Sequence, residues 1–399
     1  MSNHQQNSKK NLGIATTAIH SGRHQTLERE NSLPVFLTSS FTYNSAQQAS
    51  DVFAGEESGN LYSRFTNPTV TAFEERIAAM EGGERGVAMA SGMAAISSVF
   101  LGLLSAGDHM VLSRSVFGST LNLANNLLAK LNIAVTQVPL SDLTSWKEAI
   151  RPETKLFFAE TPANPTLEMV DLKALCQLAK EHNILVAVDN VFCTPCLQKP
   201  LELGADLVVH SATKYLDGQG RVLGGVVVGS EELVMEHIFP ILRNAGPTLS
   251  PFNAWVLYKG METMPLRMER HCENGQKVAE FLNQQPLFTG KVNYPGLPNH
   301  PQHKLATRQM NGFGGLVCVD LGSRERAHAF INSLQLATIT ANLGDVKTLV
   351  THPASTTHAK LSEDARLAAG ITQGLVRFSI GLEAATDICD DFAQALEQA

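Results

Sequence analysis

The chain has 399 residues, 44% of them hydrophobic and 17% charged, with a formal net charge of −7. This composition excludes a disordered chain, and the negative balance leaves no electrostatic footprint for nucleic acid or an anionic membrane. The length exceeds the ~250–300 residues at which single cores stop growing, so two domains are expected.

The first residues, MSNHQQNSKKNLG, are basic but have no apolar stretch behind them, and read as a mobile tail rather than a secretory signal. The cysteines at 176, 193, 196, 272, 318 and 389 are scattered, several in apolar runs such as GLVCVDL, which fits a reducing cytoplasm. Cys193 and Cys196 form a C-x-x-C, but no second pair or paired histidines stand near it, so no metal site is expected.

Residues 1 to about 60 show little regular patterning and are expected to form an arm that reaches another subunit. NPTVTAFEERIAAMEGG then predicts a helix with Asn67 as cap, Pro68 in the first turn and Gly82 past the end. The run from Val87 to Ala106 has no charge over 20 residues, yet it contains Ser91, Gly92, Ser97 and Ser98 and closes in a Gly-Asp turn. A buried core helix is expected there rather than a membrane span, capped by Ser91 and stopped at Gly107.

Six short apolar strands follow: HMVLS, IAVTQVPL, TKLFFAE, ILVAVDN, DLVVHS and GGVVVG, with helical segments such as DLKALCQLAKEHN between several of them. Strands this apolar must be covered on both faces, which predicts an α/β fold around a mostly parallel sheet. From Pro247 to Gln285 the sequence reads as long helix, with Pro251 and Pro265 as boundaries or kinks. GGLVCVDL, ATITANLG and LVRFSIGLE then alternate with helices such as SRERAHAFINSL, which predicts a smaller α/β domain. The expected division is 1–60 as arm, 61–258 as large domain and 259–399 as small domain.

The most informative segment is HSATKY, His210 to Tyr215. Lys214 sits behind two hydroxyls, Ser211 and Thr213, and ahead of the glycine-rich segment Gly218–Gly229. A phosphorylated aldehyde would suit this place, held by the lysine as a Schiff base with hydroxyls on its phosphate. Asp189, ending ILVAV, could pair with a pyridinium nitrogen, although a carboxylate bonded to loop amides would look the same. Ser91-Gly92-Met93 opens a helix, where free amides and the dipole attract phosphate, or where a helix is simply capped. Phe117 could stack on a ring or belong to the core. Tyr62 and Arg64, in YSRFTNP, are polar handles suited to phosphate. Arg377 lies inside the apolar LVRFSIGLE and needs an anion, either a substrate carboxylate or a structural partner. In an open parallel sheet, ligands bind beyond the carboxyl ends of the strands, where ETPANP, Asp189, Ser211–Lys214 and Phe117–Thr120 all fall.

With ETPANP, VDNVFCTP, HSATKY, TANLGD, HPASTTH and RFSIGLE in this order, the chain resembles the cystathionine γ-synthase family of pyridoxal-phosphate enzymes over about residues 15–395. The resemblance implies a fold-type-I, aminotransferase-like architecture and a homotetramer made of two catalytic dimers. It implies that Lys214 is the Schiff-base lysine and proton shuttle, Asp189 the pyridinium partner, and Gly92, Met93, Ser211 and Thr213 the phosphate cradle. Asn164 would lie near the ring hydroxyl, Arg377 on the substrate carboxylate, and Tyr62 and Arg64 on the phosphate of the neighbouring subunit.

Two departures carry information. The ring-stacking position, usually tyrosine, is Phe117, and the family's S-L-G-G is replaced by a stretch beginning at Asn342, expected to contact substrate. The Asn342 stretch looks like the homoserine sulfhydrylase branch, and SRSVFGST together with HSATKYLDGQGR most resembles its O-succinylhomoserine members, which implies γ-replacement of the succinyl group by sulfide in methionine biosynthesis. The related O-acetylhomoserine, cystathionine-forming and γ-lyase reactions use the same machinery. Arg114 and Arg221 are candidates for the distal succinyl carboxylate.

Overall fold

The computed structural model describes residues 12–288 and 292–398, so the tail at residues 1–11 lies outside the described residues. Seven strands form the larger sheet: β1 Arg85–Met89, β2 His109–Ser113, β3 Ala134–Val138, β4 Thr154–Glu160, β5 Leu185–Asp189, β6 Leu207–Ser211 and β7 Gly225–Gly229. Their order in space is β1-β7-β6-β5-β4-β2-β3. β7 runs antiparallel to β1 and β6, and the remaining neighbours are parallel.

The apolar strands are explained by cover on both faces. On β4, Leu156 and Phe158 pack with Ile96, Val99 and Phe100 on one side, while Phe157 and Ala159 pack with Leu172, Leu175 and Ala179 on the other. Side chains alternate faces along a strand, so an unbroken apolar run satisfies both layers. Each such buried Leu or Phe contributes about 1.5–3 kcal/mol.

A second sheet holds β8 Val292–Asn293, β9 Leu316–Asp320, β10 Thr338–Ile339, β11 Leu349–Thr351 and β12 Leu375–Ser379, in the order β10-β11-β12-β9-β8. Its core joins Val317, Val319, Val376 and Phe378 to Val278, Phe330 and Phe392 from three helices. The Phe378 and Phe392 ring centroids are 4.5 Å apart.

Several local signals are realised. Asn67 caps the helix Pro68–Glu81 by accepting from the Thr69 amide at 3.0 Å, and Gly82 closes it with φ of 78°. Pro251 and Pro265 each start a helix, Pro251–Glu262 and Met264–Gln284. Two expectations fail. The run Val87–Ala106 holds more than the helix: Ser91 caps the helix as expected, but it spans Gly92–Leu103, short of Gly107, and Val87–Met89 ahead of it belongs to β1. An uncharged run is equally compatible with a buried strand and a buried helix, and pairing with β7 decides for the strand.

Within residues 12–60, regular structure is present where little was expected, in the helices Ile14–His20 and Ala46–Ala54. The first is pinned by Arg76, a fully buried side chain. Its guanidinium donates to the carbonyls of Ile19, Ser21 and Tyr258 at 2.9–3.0 Å. All three bonds join segments 55 or more positions apart in sequence, which local periodicity does not register.

Candidate active site

β4, β5 and β6 are parallel neighbours whose last residues are Glu160, Asp189 and Ser211. These three residues line one cavity of about 300 Å³ together with Gly92, Met93, Phe117, Asn164, Thr213, Lys214, Thr357 and Arg377. A cavity at the carboxyl ends of parallel strands is the expected ligand position for an open α/β sheet.

Lys214 is partly buried, and desolvation, with the Arg377 guanidinium adding to it, lowers its pKa to about 8. Its Nζ donates to Asn342 Oδ1. Asn342 therefore meets the lysine directly, although its neighbours Ala341 and Leu343 are the residues that line the cavity. Arg377 is 2% exposed. It donates from Nη1 to Asn164 Oδ1 and from Nη2 to the Asn342 carbonyl, each at 2.8 Å. Its buried Nε has no partner among the described residues. A buried guanidinium with neutral partners and an open donor is suited to an anion.

The acids behave differently. Among the described residues, buried Asp189 accepts only from the Val191 amide, at 3.1 Å, and is pushed up to about 6 by desolvation. Glu160, its register partner on β4, is driven well above the usual carboxylate range by burial and by the Asp189 charge. Glu160 is not among the site residues expected from the sequence, although it ends an apolar strand just as Asp189 does. It orients two expected site residues by accepting from the Phe117 amide at 2.7 Å and the Asn164 amide at 3.2 Å.

The helix Gly92–Leu103 points its N-terminus into the same cavity. Ser91 Oγ accepts from the Ala94 amide at 3.1 Å, which leaves the Gly92 and Met93 amides at the open end. A Cβ on Gly92 would lie 2.6 Å from Ser211 Cβ, so only glycine lets the helix start sit against the end of β6. Ser211 Oγ has no partner among the described residues. Thr213 is engaged: its hydroxyl accepts from the Gly224 amide at 3.1 Å and donates to the Gly224 carbonyl at 3.3 Å. An anion there would compete for that weaker second bond.

Tyr62 and Arg64 are not brought into this cavity. Arg64 Nε donates to the Arg243 carbonyl at 3.1 Å, and its guanidinium stands 4.8 Å from the Phe65 ring and 5.3 Å from the Tyr62 ring. Arg114 and Arg221 do not line it either. Arg114 borders a separate groove with Glu168 and Gly370, and Arg221 is held by Asp217 at 2.9 Å. Thr357 does line the cavity, and its hydroxyl meets His358 Nδ1 at 2.8 Å. Among the described residues no cluster of three or more His, Cys, Asp or Glu could hold a metal, and no helix is long and apolar enough to cross a membrane.

Residues 15–397 match the family of Cys/Met metabolism PLP-dependent enzymes. The chain belongs to that family. It is 51% identical to an O-succinylhomoserine sulfhydrylase of Pseudomonas aeruginosa, over 96% of this chain and 94% of that one. It is 46% identical to an L-methionine γ-lyase of Fusobacterium nucleatum subsp. polymorphum, over 98% and 99% of the two chains. Among solved structures it is similar to a putative O-acetylhomoserine (thiol)-lyase from Campylobacter jejuni carrying pyridoxyl-lysine-phosphate, with a TM-score of 0.93 and 35% identity over 97% and 100% of the chains.

As a member of this family, the protein is an enzyme of fold type I whose cofactor is pyridoxal 5′-phosphate. The residues present fit that group. The cavity offers a lowered lysine, a buried carboxylate with a free oxygen, an exposed aromatic face at Phe117, and an open helix start beside an unpartnered hydroxyl.

Proposed function

We propose that the enzyme carries out γ-replacement, converting O-succinyl-L-homoserine and hydrogen sulfide into L-homocysteine and succinate. The observation that carries this reading is Phe117. It occupies the cavity wall, held by Glu160, and among the described residues of its own chain no tyrosine lines the cavity beside it. Proton traffic at the substrate then rests on Lys214 rather than on a phenol. Identity to O-succinylhomoserine sulfhydrylases supports the same choice, at 51% for the Pseudomonas aeruginosa protein and 42% for that of Mycobacterium tuberculosis.

Pyridoxal 5′-phosphate, when bound, supplies an electron sink for negative charge at the substrate Cα. Lys214 would hold it and later act as base: its lowered pKa leaves a substantial neutral fraction near pH 8, able to take the Cα proton and then a Cβ proton. Asn342 Oδ1 aims the Nζ, and Arg377 receives the α-carboxylate. The Cγ–O bond would break with departure of succinate, hydrosulfide would form the new Cγ–S bond, and protons returned to Cβ and then Cα through Lys214 would complete homocysteine. Gly92, Met93, Ser211 and Thr213 would cradle the phosphate, Asp189 would face the ring nitrogen, Asn164 the ring hydroxyl and Phe117 the ring face.

Tyr62 and Arg64, absent from their own cavity, would complete the phosphate site of a second copy. A catalytic dimer is then the minimal unit, and two such dimers would form a homotetramer in the cytoplasm. Leu27, Leu37 and Phe53, more than half exposed, lie in the segment proposed as the intersubunit arm at residues 1–60. Residues 61–258 and 259–399 would be the large and small domains.

The alternative with specific support is a γ-lyase, which releases ammonia and a keto acid, since methionine γ-lyases are 42–46% identical over nearly the whole chain. Steady-state rates separate the readings. O-succinyl- and O-acetylhomoserine are each offered sulfide or cysteine, with methionine alone as the lyase assay. Fastest turnover with the succinyl ester and sulfide is expected; faster keto acid release from methionine would replace this proposal by the lyase.

A further inference from the structure

The cavity is built on one face of the large sheet, and a buried polar network occupies the other face directly beneath it. Side chains alternate along a strand, so Asn190 and His210 look away from the cavity that Asp189 and Ser211 line. The β5–β6 ladder ends at the Asp189–Val209 pair, and beyond it the Asn190 amide still reaches the Val209 carbonyl at 3.0 Å. Where the ladder stops, Glu81 takes over.

Glu81 is the last residue of the helix Pro68–Glu81. Its Oε1 accepts from His210 Nε2 at 2.5 Å and from Asn190 Nδ2 at 3.0 Å. Asn190 Oδ1 in turn accepts from Gln198 Nε2, which also donates to the Thr161 carbonyl, both at 3.0 Å. Thr161, Asn190 and His210 each adjoin one of the three strand-end residues of the cavity, Glu160, Asp189 and Ser211. All five network residues are at most 1% exposed. Gln309 ties the network to the segment after the large sheet by donating to Gln198 Oε1 at 3.0 Å.

The network is not optimised for stability. Glu81 Oε2 and His210 Nδ1 are buried without partners among the described residues, which costs free energy that an apolar filling would avoid. In some proteins buried polar groups are kept because they fix geometry rather than because they add stability.

We propose that Glu81 is a positioning residue for the cofactor site, its carboxylate setting the spacing of the strand ends that carry Asp189 and Ser211, with Gln198 extending the same hold to Glu160. The inference rests on the assignment of Asp189 and Ser211 to the cofactor. Apoprotein of the full chain is titrated with pyridoxal 5′-phosphate, following the absorbance of the bound form, and its melting temperature is measured separately.

Glu81→Ala is expected to raise the cofactor dissociation constant about 10-fold or more when measured well below melting, by analogy with the loss of outer supports at other sites. Glu81→Gln keeps the accepting oxygen and should stay within about 3-fold of the parent. Gln198→Leu opens the network at its far end and should give an intermediate rise, about 3- to 10-fold. It decides alone should Glu81→Ala give no folded protein. A purely structural role would lower the melting temperature and leave the dissociation constant unchanged in every variant that folds, and that result overturns the proposal. Asp189→Asn, run in parallel, separates the two claims. If it binds cofactor as the parent does, the site assignment itself fails; if it weakens binding while the Glu81 and Gln198 variants do not, only the clamp fails.

Discussion

The two walls of the cavity are made by different parts of the chain and carry opposite electrostatic characters. The large-sheet wall presents Glu160 and Asp189, carboxyls pushed upward by burial, with a helix start and a free hydroxyl beside them. The wall from residues 341–377 presents a buried guanidinium and the Asn342 amide. Lys214 rises from the first wall and is received by the second. These opposite characters match the proposed division of labour, with the phosphorylated pyridine on one wall and the amino acid's carboxylate on the other.

The largest effect should come from the residue shared by both walls. Lys214→Ala should cost about 10³-fold or more in turnover and abolish the absorbance of the lysine-bound cofactor, since both the covalent holder and the base are lost. A variant with full activity would break the assignment. Next come substitutions that should act on one wall only. Arg377→Lys keeps the charge but loses the fork that spans Asn164 and Asn342, and should raise KM for the acylated homoserine about 10- to 100-fold with little change in cofactor affinity. If cofactor affinity falls more than KM rises, the division of labour is wrong.

The pH dependence of apoprotein stability sharpens the contrast with smaller effects. Asp189 ordinarily titrates near 3.8 and is raised to about 6. Between those values the folded chain binds more protons than the unfolded one, so its contribution is present at low pH and is lost as pH rises through about 6. Lys214 ordinarily titrates near 10.5 and is lowered to about 8. Between about 8 and 10.5 the unfolded chain holds the extra proton, so stability gains with rising pH across that window. Urea midpoints measured across both ranges should show these opposite slopes in the differences between parent and variant: parent minus Asp189→Asn should fall toward pH 6, and parent minus Lys214→Met should rise above pH 8. The smallest effect is expected from Asn342→Ala. It removes the acceptor of the lysine and should change turnover about 3- to 10-fold, read as a shift in the alkaline-going limb of the rate profile.

What was legible in the sequence follows from what is local. Asn67, Pro68 and Gly82 bound a helix because caps act within one turn, and β4, β5 and β6 announced themselves because strands covered on both faces must be apolar throughout. Asp189 and Lys214 stood out because charges beside such strands need a reason. The same logic pointed at Glu160, which ends TKLFFAE, but its motif drew attention to Asn164 instead. β1 was hidden, since an uncharged run names burial and not its secondary structure.

Residue type set against hydrophobic pattern was enough to reach the fold class, and it singled out Lys214 and Asp189 as the proposed cofactor lysine and ring-nitrogen partner. Only the tertiary structure decided that Arg377 meets Asn164, 213 positions away, that Asn342 receives Lys214, 128 positions away, and that Tyr62 and Arg64 stand outside their own cavity. Such meetings are set by how two sheets are brought against each other. That is a property of packing between distant segments, and no window of neighbouring residues contains it.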